Sequence, residues 1–300
     1  MPQAYPTKRL RLDVRMVSAW MGVPRGHEGQ ALAWVPLHKL ASYAMPPADI
    51  PVVAALTAPD RYLVTPNPVP CAAPAKRDTR SAMNAGLHES PGVGGVAPTY
   101  GAARDTRSAV NAGLHDPAGV GGVAPTYLAG IQRALASGIR RIHLRLPDPS
   151  EAFLPAHRES LLRRAVELAY AAGAQPFISG DIDLARAIGA GVHLRSGQLA
   201  QLHERPLPAS QPLAASCHDE EELHHAQRLG CDFAVLGPVM PTPSHPGDQG
   251  LGWTRFAALR ETVSLPIYAI GGLTPDDIPK ARRHGAQGIA AIRALWPSSL

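Results

Sequence analysis

A histidine at the end of an apolar run offers the clearest acid–base chemistry in this sequence. The run PLAASCH (212–218) predicts a buried strand in which Ser216 and His218 share one face. Histidine side chains ordinarily titrate near neutral pH, so His218 is a candidate general acid or base. The competing interpretation is that His218 caps the next helix or packs inside the fold. Cys217 lies on the opposite face, where we expect it to pack against a helix.

Two segments near the C-terminus are candidates for phosphate binding. The run LPIYAIGG (265–272) ends in paired glycines, and the next apolar run is GIAAIRAL (288–295). Paired glycines at a strand end allow backbone N–H groups to approach an anion. The candidate phosphate-binding residues are Gly271, Gly272, Ala290, Ile292 and Arg293. The alternative is that the glycines only form a tight turn.

A proline-rich loop adds further polar candidates. The segment GPVMPTPSHPG (237–247) presents Thr242, Ser244 and His245 as hydrogen-bonding groups. A rigid surface loop explains the same prolines equally well. A ligand contact is therefore one of two interpretations of this loop.

Basic residues alternate along another predicted strand, IRRIHLRL (139–146). An apolar wall has no reason to point such residues inward unless they meet an anion, so His143 and Arg145 are candidates for binding phosphate or carboxylate oxygens. Arg141 lies near the beginning of the strand, where solvation is the alternative. His193, in GVHL, is expected to be buried with its hydrogen bonds satisfied.

Strand-like and helix-like runs alternate from residue 127 onward, which is typical of parallel βαβ units. With RYLVT as the first strand, the predicted strands are 61–65, 139–146, 175–179, 191–194, 212–218, 233–239, 265–271 and 288–293. The predicted helices are 127–137, 159–172, 182–188, 219–229, 253–262 and 275–284. The predicted fold class is α/β, a closed (β/α)8 TIM barrel with its reactive groups at the C-terminal strand ends. A Rossmann-like open sheet is the weaker alternative, because no GxGxxG motif opens the first helix.

An internal repeat interrupts this pattern after the first strand. The segment 77–100 returns at 104–127 with four of 24 positions changed. Two glycine- and proline-rich copies are too few to bury a core of their own. We therefore predict a disordered insert over 71–126, at the reactive face of a domain that spans 61–300.

The composition sets wider limits. Hydrophobic residues make up 45% of the 300 residues and aromatic residues 5%, which favours close helix–strand packing over large aromatic anchors. A net charge of +5 without long runs of like charge argues for small anionic ligands and against nucleic acid. Three widely spaced cysteines indicate neither a disulfide framework nor a zinc site. No apolar stretch is long enough for a signal sequence or a membrane span, so we expect a cytoplasmic protein, with homo-oligomerisation left open.

Together, these motifs resemble the thiamine-phosphate synthase and TenI superfamily. RYLVTP, IHLRL, DIDLARAIGAGVHL, SCHDEEELHHAQRLGCDFAVLGPVMPTPSHPG, LPIYAIGGL and HGAQGIAAIRAL follow the order and spacing of that family, over about 61–70 and 127–300. The resemblance implies a phosphorylated small-molecule ligand, a thiazole phosphate. In TenI-type thiazole tautomerases, a histidine at the position of His218 shuttles the proton during aromatisation of the thiazole, and no metal is needed.

Residues 1–60 resemble a different family, the C-terminal end of MutT-type Nudix hydrolases. The segment that begins YPTKRLRLDVRMVSAWMGVPRGHEGQ carries the resemblance, with strand-like runs at 9–14 and 31–35. Fusions of such a domain to a TenI-like barrel occur in bacteria. The Nudix box, which holds Mg²⁺ at a diphosphate, is absent. The resemblance therefore implies an incomplete Nudix-type α+β fragment without the diphosphatase activity that acts on 8-oxo-dGTP.

The barrel differs from the synthase pattern at positions where the synthase reaction needs charged residues. Where the synthase has the strand pattern Q-L-R-x-K, this sequence has HLRLP at 143–147, and where the synthase has an Asn-Asp pair, it has Ser179-Gly180. Gln198 replaces the second metal-binding Asp of the synthase, and His245 replaces its loop lysine. Synthase chemistry expels pyrophosphate, so it needs Mg²⁺ and cations to stabilise the leaving charge. The resemblance thus implies no metal site and no cofactor, with Mg²⁺ only if synthase-like activity persists.

Three functions stay open for this sequence. The first is a thiazole-phosphate-binding barrel that acts as a TenI-like thiazole tautomerase, an isomerase, with His218 as its acid–base group. The second is a non-catalytic or degenerate barrel from a Nudix fusion, and the third is a residual thiamine-phosphate synthase. Whether the barrel is an enzyme depends on which of these holds.

Overall fold

The computed structural model describes residues 2–4, 9–11, 14, 17, 19–68, 123–147, 154–242, 247 and 249–297. Its main feature is a closed barrel of eight parallel strands, in which each strand pairs with the next along the chain and the last pairs with the first. The barrel strands are β3 (Arg61–Val64), β4 (Arg141–Leu144), β5 (Gln175–Ser179), β6 (Gly191–Leu194), β7 (Leu213–Cys217), β8 (Phe233–Leu236), β9 (Ile267–Ile270) and β10 (Gly288–Ala291). All eight predicted strands are confirmed, and the closed order excludes the open sheet.

Helices connect these strands and cover the outside of the barrel. They are α2 (Val123–Ala136), α3 (Pro155–Ala171), α4 (Ile182–Ile188), α5 (Ser196–Leu199), α6 (Glu220–Arg228), α7 (Gly252–Arg260) and α8 (Ile278–Arg283), the last preceded by a 3-10 turn over Pro275–Asp277. The short α5 was not predicted, because four residues are too few to show helical periodicity. None of the helices in the described ranges is long and apolar enough to cross a membrane.

The predicted insert overlaps the first of these helices. α2 begins at Val123, so the predicted boundary at residue 126 lies too far along the chain. Residues 71–122, which contain most of the repeat, lie outside the described residues, and so does the prediction that they are disordered. The insert does join the C-terminal end of β3 to α2, which is the reactive face of this fold.

Among its described residues, the N-terminal segment contains only short elements. Strands β1 (Pro2–Ala4) and β2 (Arg9–Arg11) pair antiparallel, a 3-10 helix spans Leu37–Ser42, and α1 spans Ile50–Thr57. The predicted strand at 31–35 is wrong, because these residues have no regular structure. A strand needs a neighbour for its backbone hydrogen bonds, and no strand pairs with this run among the described residues.

Aromatic side chains fill one layer of the barrel interior. Four aromatic rings, those of Tyr62, Phe177, Phe233 and Tyr268, are buried there, with ring centroids 5.1 to 5.7 Å apart. The expectation of packing without large aromatic anchors is therefore wrong for this layer. The sequence contains few aromatic residues, but four of them point into the barrel interior and fill this layer.

Arg141 is also inside the barrel rather than solvated. It is 8% exposed, and its guanidinium lies 4.4 Å from the centroid of the Phe233 ring. It donates hydrogen bonds to Gln175 Oε1 at 2.7 and 3.1 Å and to the Tyr268 hydroxyl at 2.9 Å. These partners offset the cost of burying the charge, so Arg141 is a structural residue at the N-terminal end of the barrel.

Candidate active site

A cavity of about 900 Å³ opens at the C-terminal ends of the barrel strands. Reactive groups are expected at this end of such a barrel. Predicted site residues that line the cavity are Arg145, His218, Thr242, Gly271, Gly272, Ala290, Ile292 and Arg293. Ser244 and His245 lie outside the described residues, so their contribution stays a prediction.

The paired glycines form part of the cavity wall and are required by their backbone. Gly271 and Gly272 have φ angles of +106° and +64°, a region that favours glycine. A Cβ on Gly271 would lie 2.6 Å from Pro238 Cβ, and a Cβ on Gly272 would lie 2.8 Å from the Pro241 carbonyl oxygen. The loops after β8 and β9 can therefore pack together only with glycines here. Gly271 and Gly272 therefore form a tight turn and also line the cavity.

His218 lies at the rim of the cavity, directly after β7, and is held by a carboxylate. Its Nδ1 lies 2.9 Å from Glu222 Oε2, and its backbone N–H donates to the same oxygen at 2.6 Å. An ionised carboxylate only accepts hydrogen bonds, so Nδ1 carries the proton and Nε2 is the atom that can accept another. With 48% of its side chain exposed, His218 is accessible to a ligand. The interpretation of His218 as a buried packing residue is wrong.

Glu222 is a site residue that sequence reasoning missed. Glu222 lies in the first turn of α6, where acidic residues complement the helix dipole. This structural role explained the residue without any role in the site. The signal was its position in the first turn of α6, four residues after His218, from which its side chain can reach back to the residue before the helix cap. Asp219 Oδ1 accepts a hydrogen bond from the backbone N–H of Glu222 at 2.9 Å and caps this helix.

A chain of hydrogen bonds leads from the cavity into the barrel. Ser216, which lines the cavity, lies 2.8 Å from His193 Nε2, and His193 Nδ1 lies 3.0 Å from the Tyr62 hydroxyl. Burial, with a smaller contribution from the charge of Arg145, lowers the pKa of His193 to about 3. The prediction of a buried, satisfied His193 is confirmed, and this neutral ring connects Tyr62 to Ser216.

His143 lies beside this chain and not in the cavity wall. Its ring stacks on that of His193, with centroids 4.2 Å apart, and it is 7% exposed. Its Nε2 has no hydrogen-bond partner within the described part of the chain. Burial, followed by the charges of His193, Arg145 and Arg195, holds its pKa well below the usual value. The structure thus separates His143 from Arg145, the other candidate of this strand, which does line the cavity.

Gln198, which the sequence resemblance aligns with a metal-binding Asp of the synthase, is held by the protein's own backbone. Gln198 Nε2 donates to the Gly180 carbonyl oxygen at 2.9 Å, and Gln198 Oε1 accepts from the backbone N–H of Arg195 at 3.2 Å. Both polar atoms of the Gln198 amide are therefore engaged by backbone groups, and an amide is a weaker ligand for a divalent cation than a carboxylate. Among the described residues, no three His, Cys, Asp or Glu side chains are grouped closely enough to hold a metal.

The fold and the cavity thus define a parallel eight-stranded α/β barrel with a site at its C-terminal end. The family profile described as thiamine monophosphate synthase (TMP-TENI) matches residues 118–295, which is more than half of the chain. The chain therefore belongs to the thiamine monophosphate synthase/TenI family.

Two sequence relatives agree with this assignment. A Geobacter sulfurreducens protein, provisionally named a thiamine-phosphate synthase, is 36% identical over 172 residues, which is 56% of this chain and 78% of the relative. A thiamine-phosphate synthase from Thermus thermophilus is 33% identical over 167 residues, 55% of this chain and 78% of the relative. The solved structure of a Pyrococcus furiosus thiamine phosphate pyrophosphorylase superposes with a TM-score of 0.45 and 23% identity, covering 55% of this chain and 78% of the other.

Proposed function

We propose that this barrel binds a thiazole phosphate and isomerises it, with His218 as the acid–base group. The observation that carries the proposal is the pairing of His218 with Glu222 at the rim of a cavity whose wall includes Gly271 and Gly272. Family membership does not assign this isomerisation, because the names of the relatives describe a synthase.

The glycine loops support the phosphate half of the proposal. A phosphoryl group in the cavity would meet backbone N–H groups after β9 and β10, with Arg293 at the same wall. Backbone N–H groups and an arginine together make charge-assisted hydrogen bonds to phosphate oxygens. Anchoring by phosphate leaves the thiazole ring free to extend toward His218.

The environment of His218 supports the proton-transfer half. Nε2 takes a proton from one carbon of the bound tautomer, and the resulting imidazolium is stabilised by Glu222 at 2.9 Å. The same nitrogen then returns a proton to another atom of the ligand, so substrate and product have the same composition. The reaction releases no pyrophosphate, which agrees with the presence of Gly180 and Gln198 at the positions of the metal ligands.

An isomerisation assay with the non-aromatic tautomer of thiazole carboxylate phosphate tests the proposal. The His218→Ala variant is expected to lose a factor of about 10²–10⁴ in kcat, the usual contribution of a positioned acid–base group. His224→Ala is the matched control, because His224 is also paired with a glutamate on α6, Glu220 at 3.6 Å, but does not line the cavity. Equal rates for wild type and His218→Ala would reject the role of His218.

Calorimetry separates this proposal from the non-catalytic one. Binding of the thiazole phosphate with turnover supports an enzyme, and binding without turnover supports a non-catalytic ligand-binding domain. The names of the relatives favour residual synthase activity as a second candidate. Release of pyrophosphate from the pyrimidine diphosphate and the thiazole phosphate, in the presence of Mg²⁺, would establish that reaction instead.

We also propose that residues 1–60 derive from a MutT-type Nudix domain. The support is the sequence resemblance of the segment that begins YPTKRLRLDV. Reading the DNA upstream of Met1 tests this proposal. An in-frame Nudix box would support it, and unrelated sequence there would count against it.

A further inference from the structure

A row of three hydrogen-bonded side chains leads from the interior of the barrel to the cavity. The Tyr62 hydroxyl lies 3.0 Å from His193 Nδ1, and His193 Nε2 lies 2.8 Å from Ser216 Oγ. Tyr62 and His193 are 0% and 2% exposed, whereas Ser216 is part of the cavity wall. The proposed acid–base chemistry of His218 does not use this row, so the row has a different role.

The direction of these hydrogen bonds depends on which ring nitrogen of His193 carries the proton. A neutral imidazole has one donor nitrogen and one acceptor nitrogen. If Nδ1 carried the proton, it would donate to the Tyr62 oxygen, and Nε2 would accept the hydroxyl proton of Ser216. If Nε2 carries the proton, Tyr62 donates to Nδ1, and Nε2 donates to Ser216. The two tautomers therefore leave opposite ends of the Ser216 hydroxyl group available to a ligand.

The Tyr62 hydroxyl decides between the two tautomers. Among the described residues, His193 Nδ1 is the one group with which it forms a hydrogen bond. Burial raises the pKa of Tyr62 well above its ordinary value, so the hydroxyl keeps a proton that needs an acceptor. A buried donor without a partner costs about 1–3 kcal/mol, and Tyr62 avoids this cost only by donating to Nδ1. The proton of His193 therefore lies on Nε2.

The surroundings of His193 keep its ring neutral and in place. The rings of His143 and Tyr62 pack against it, with centroids 4.2 and 5.7 Å away. Its low pKa, caused by burial and then by the charge of Arg145, keeps it from accepting a second proton. Ser216 thus accepts from His193 and is not activated by it as a nucleophile. Within the described part of the chain, the hydroxyl proton of Ser216 has no other acceptor, so it is available to a ligand in the cavity.

We propose that Tyr62 is a positioning residue, which fixes the Nε2–H tautomer of His193 and thereby makes Ser216 a hydrogen-bond donor to the ligand. The inference rests on the proposed function only for the identity of that ligand. It specifies that the ligand atom beside Ser216 is an acceptor, either an unprotonated ring nitrogen or an oxygen. An N–H group in the same place is less favourable, because the Ser216 oxygen already accepts from His193.

NMR of the full chain with isotope-labelled histidine nitrogens tests the tautomer without any ligand. At neutral pH, wild type is expected to show a protonated Nε2 and an unprotonated Nδ1 for His193, assigned by the loss of these signals in His193→Gln. Tyr62→Phe removes the donor, so both tautomers should be populated. Tyr268→Phe is the matched control, because the Tyr268 hydroxyl is also buried but donates to the Pro59 carbonyl oxygen at the N-terminal end of the barrel. This control should keep the wild-type tautomer.

Titration calorimetry with thiazole phosphate tests the hydrogen bond from Ser216. Ser216→Ala is expected to weaken binding by about 2- to 10-fold, the value of one neutral hydrogen bond. Tyr62→Phe should weaken binding by no more than this. The double variant should bind like Ser216→Ala, because Tyr62 acts through Ser216. Additive losses would show that the role of Tyr62 is merely structural.

The outcomes separate this inference from the proposed function. A protonated Nδ1 in wild type, or an unchanged tautomer in Tyr62→Phe, would overturn the inference while leaving the proposed function standing. Unchanged affinity in Ser216→Ala would do the same. Failure of thiazole phosphate to bind wild type would overturn the proposed function, and the spectra would still decide the tautomer. If Tyr62→Phe folds poorly, the wild-type spectrum and the affinity of Ser216→Ala remain decisive.

Discussion

Acid is expected to destabilise this protein through the histidines inside its barrel. His193 is 2% exposed, and burial lowers its pKa to about 3 in the folded protein, compared with 6.5 for an ordinary histidine. Between these two values, the unfolded chain binds a proton that the folded chain does not. The free energy of unfolding therefore falls as the pH falls from about 6.5 toward about 3, and it is unaffected by this group above that range.

The size of the effect follows from the same two pKa values. Each pH unit inside this window costs about 1.4 kcal/mol for one histidine, so His193 alone removes about 2 kcal/mol between pH 7 and pH 5. The pKa of His143 is shifted in the same direction, so it adds a second loss of the same sign. A typical domain has only about 5–15 kcal/mol of stability, so this loss is readily measured.

Urea unfolding at pH 7 and pH 5 measures the loss. His193→Gln removes the titrating group, so its drop in free energy of unfolding between the two pH values is expected to be smaller than that of wild type by about 2 kcal/mol. His143→Gln should reduce the drop in the same direction and serves as the second variant if His193→Gln folds poorly. His203→Gln, an exposed histidine, is the control and should keep the wild-type drop. Identical acid sensitivity in all four proteins would refute the reasoning.

Three further changes test separate contacts. Glu222→Gln weakens the bond that holds His218 at 2.9 Å, and a fall of about tenfold in kcat is expected; an unchanged pH–rate profile would contradict this role. Gly271→Ala places a Cβ 2.6 Å from Pro238 Cβ at a φ of +106°, so thermal unfolding should show a loss of about 1–3 kcal/mol in stability. Calorimetry should show a weaker affinity for the phosphate ligand. Full stability of the variant would count against the close packing of the loops. Tyr62→Phe keeps the ring but leaves a buried imidazole nitrogen without its partner at 3.0 Å, which should cost about 1–3 kcal/mol in urea unfolding, and no loss would show that the bond is unimportant.

The barrel could be predicted because each barrel strand is a short, largely apolar run with a glycine or proline close to at least one of its ends. A strand such as β6 is bounded by Gly191 and by the polar residues after Leu194, and this contrast is visible without a structure. Helix boundaries were less certain, as the earlier beginning of α2 shows, because the repeat preceding it has no clear periodicity. The run 31–35 has the composition of a strand but pairs with no strand among the described residues. Composition alone cannot show this, because strand pairing depends on the whole fold.

The site was only partly predictable, because inward-facing residues and their partners come from different parts of the chain. The cavity contains His218, Arg145 and the glycine pair, as the strand-end rule suggested. The burial of Arg141 among aromatic rings was not visible, since its partners come from β5, β8 and β9.

Deuterium incorporation tests the central claim, proton transfer by His218 in a site that needs no metal. The non-aromatic tautomer of thiazole carboxylate phosphate would be converted in D2O with a chelator present, and the product examined by mass spectrometry. Because 48% of the His218 side chain is exposed, its imidazolium exchanges protons with solvent, and wild type is predicted to form the aromatic thiazole with solvent-derived deuterium. His218→Ala is predicted to form it no faster than buffer alone. Conversion that requires Mg²⁺, or that proceeds equally well in His218→Ala, would contradict the account.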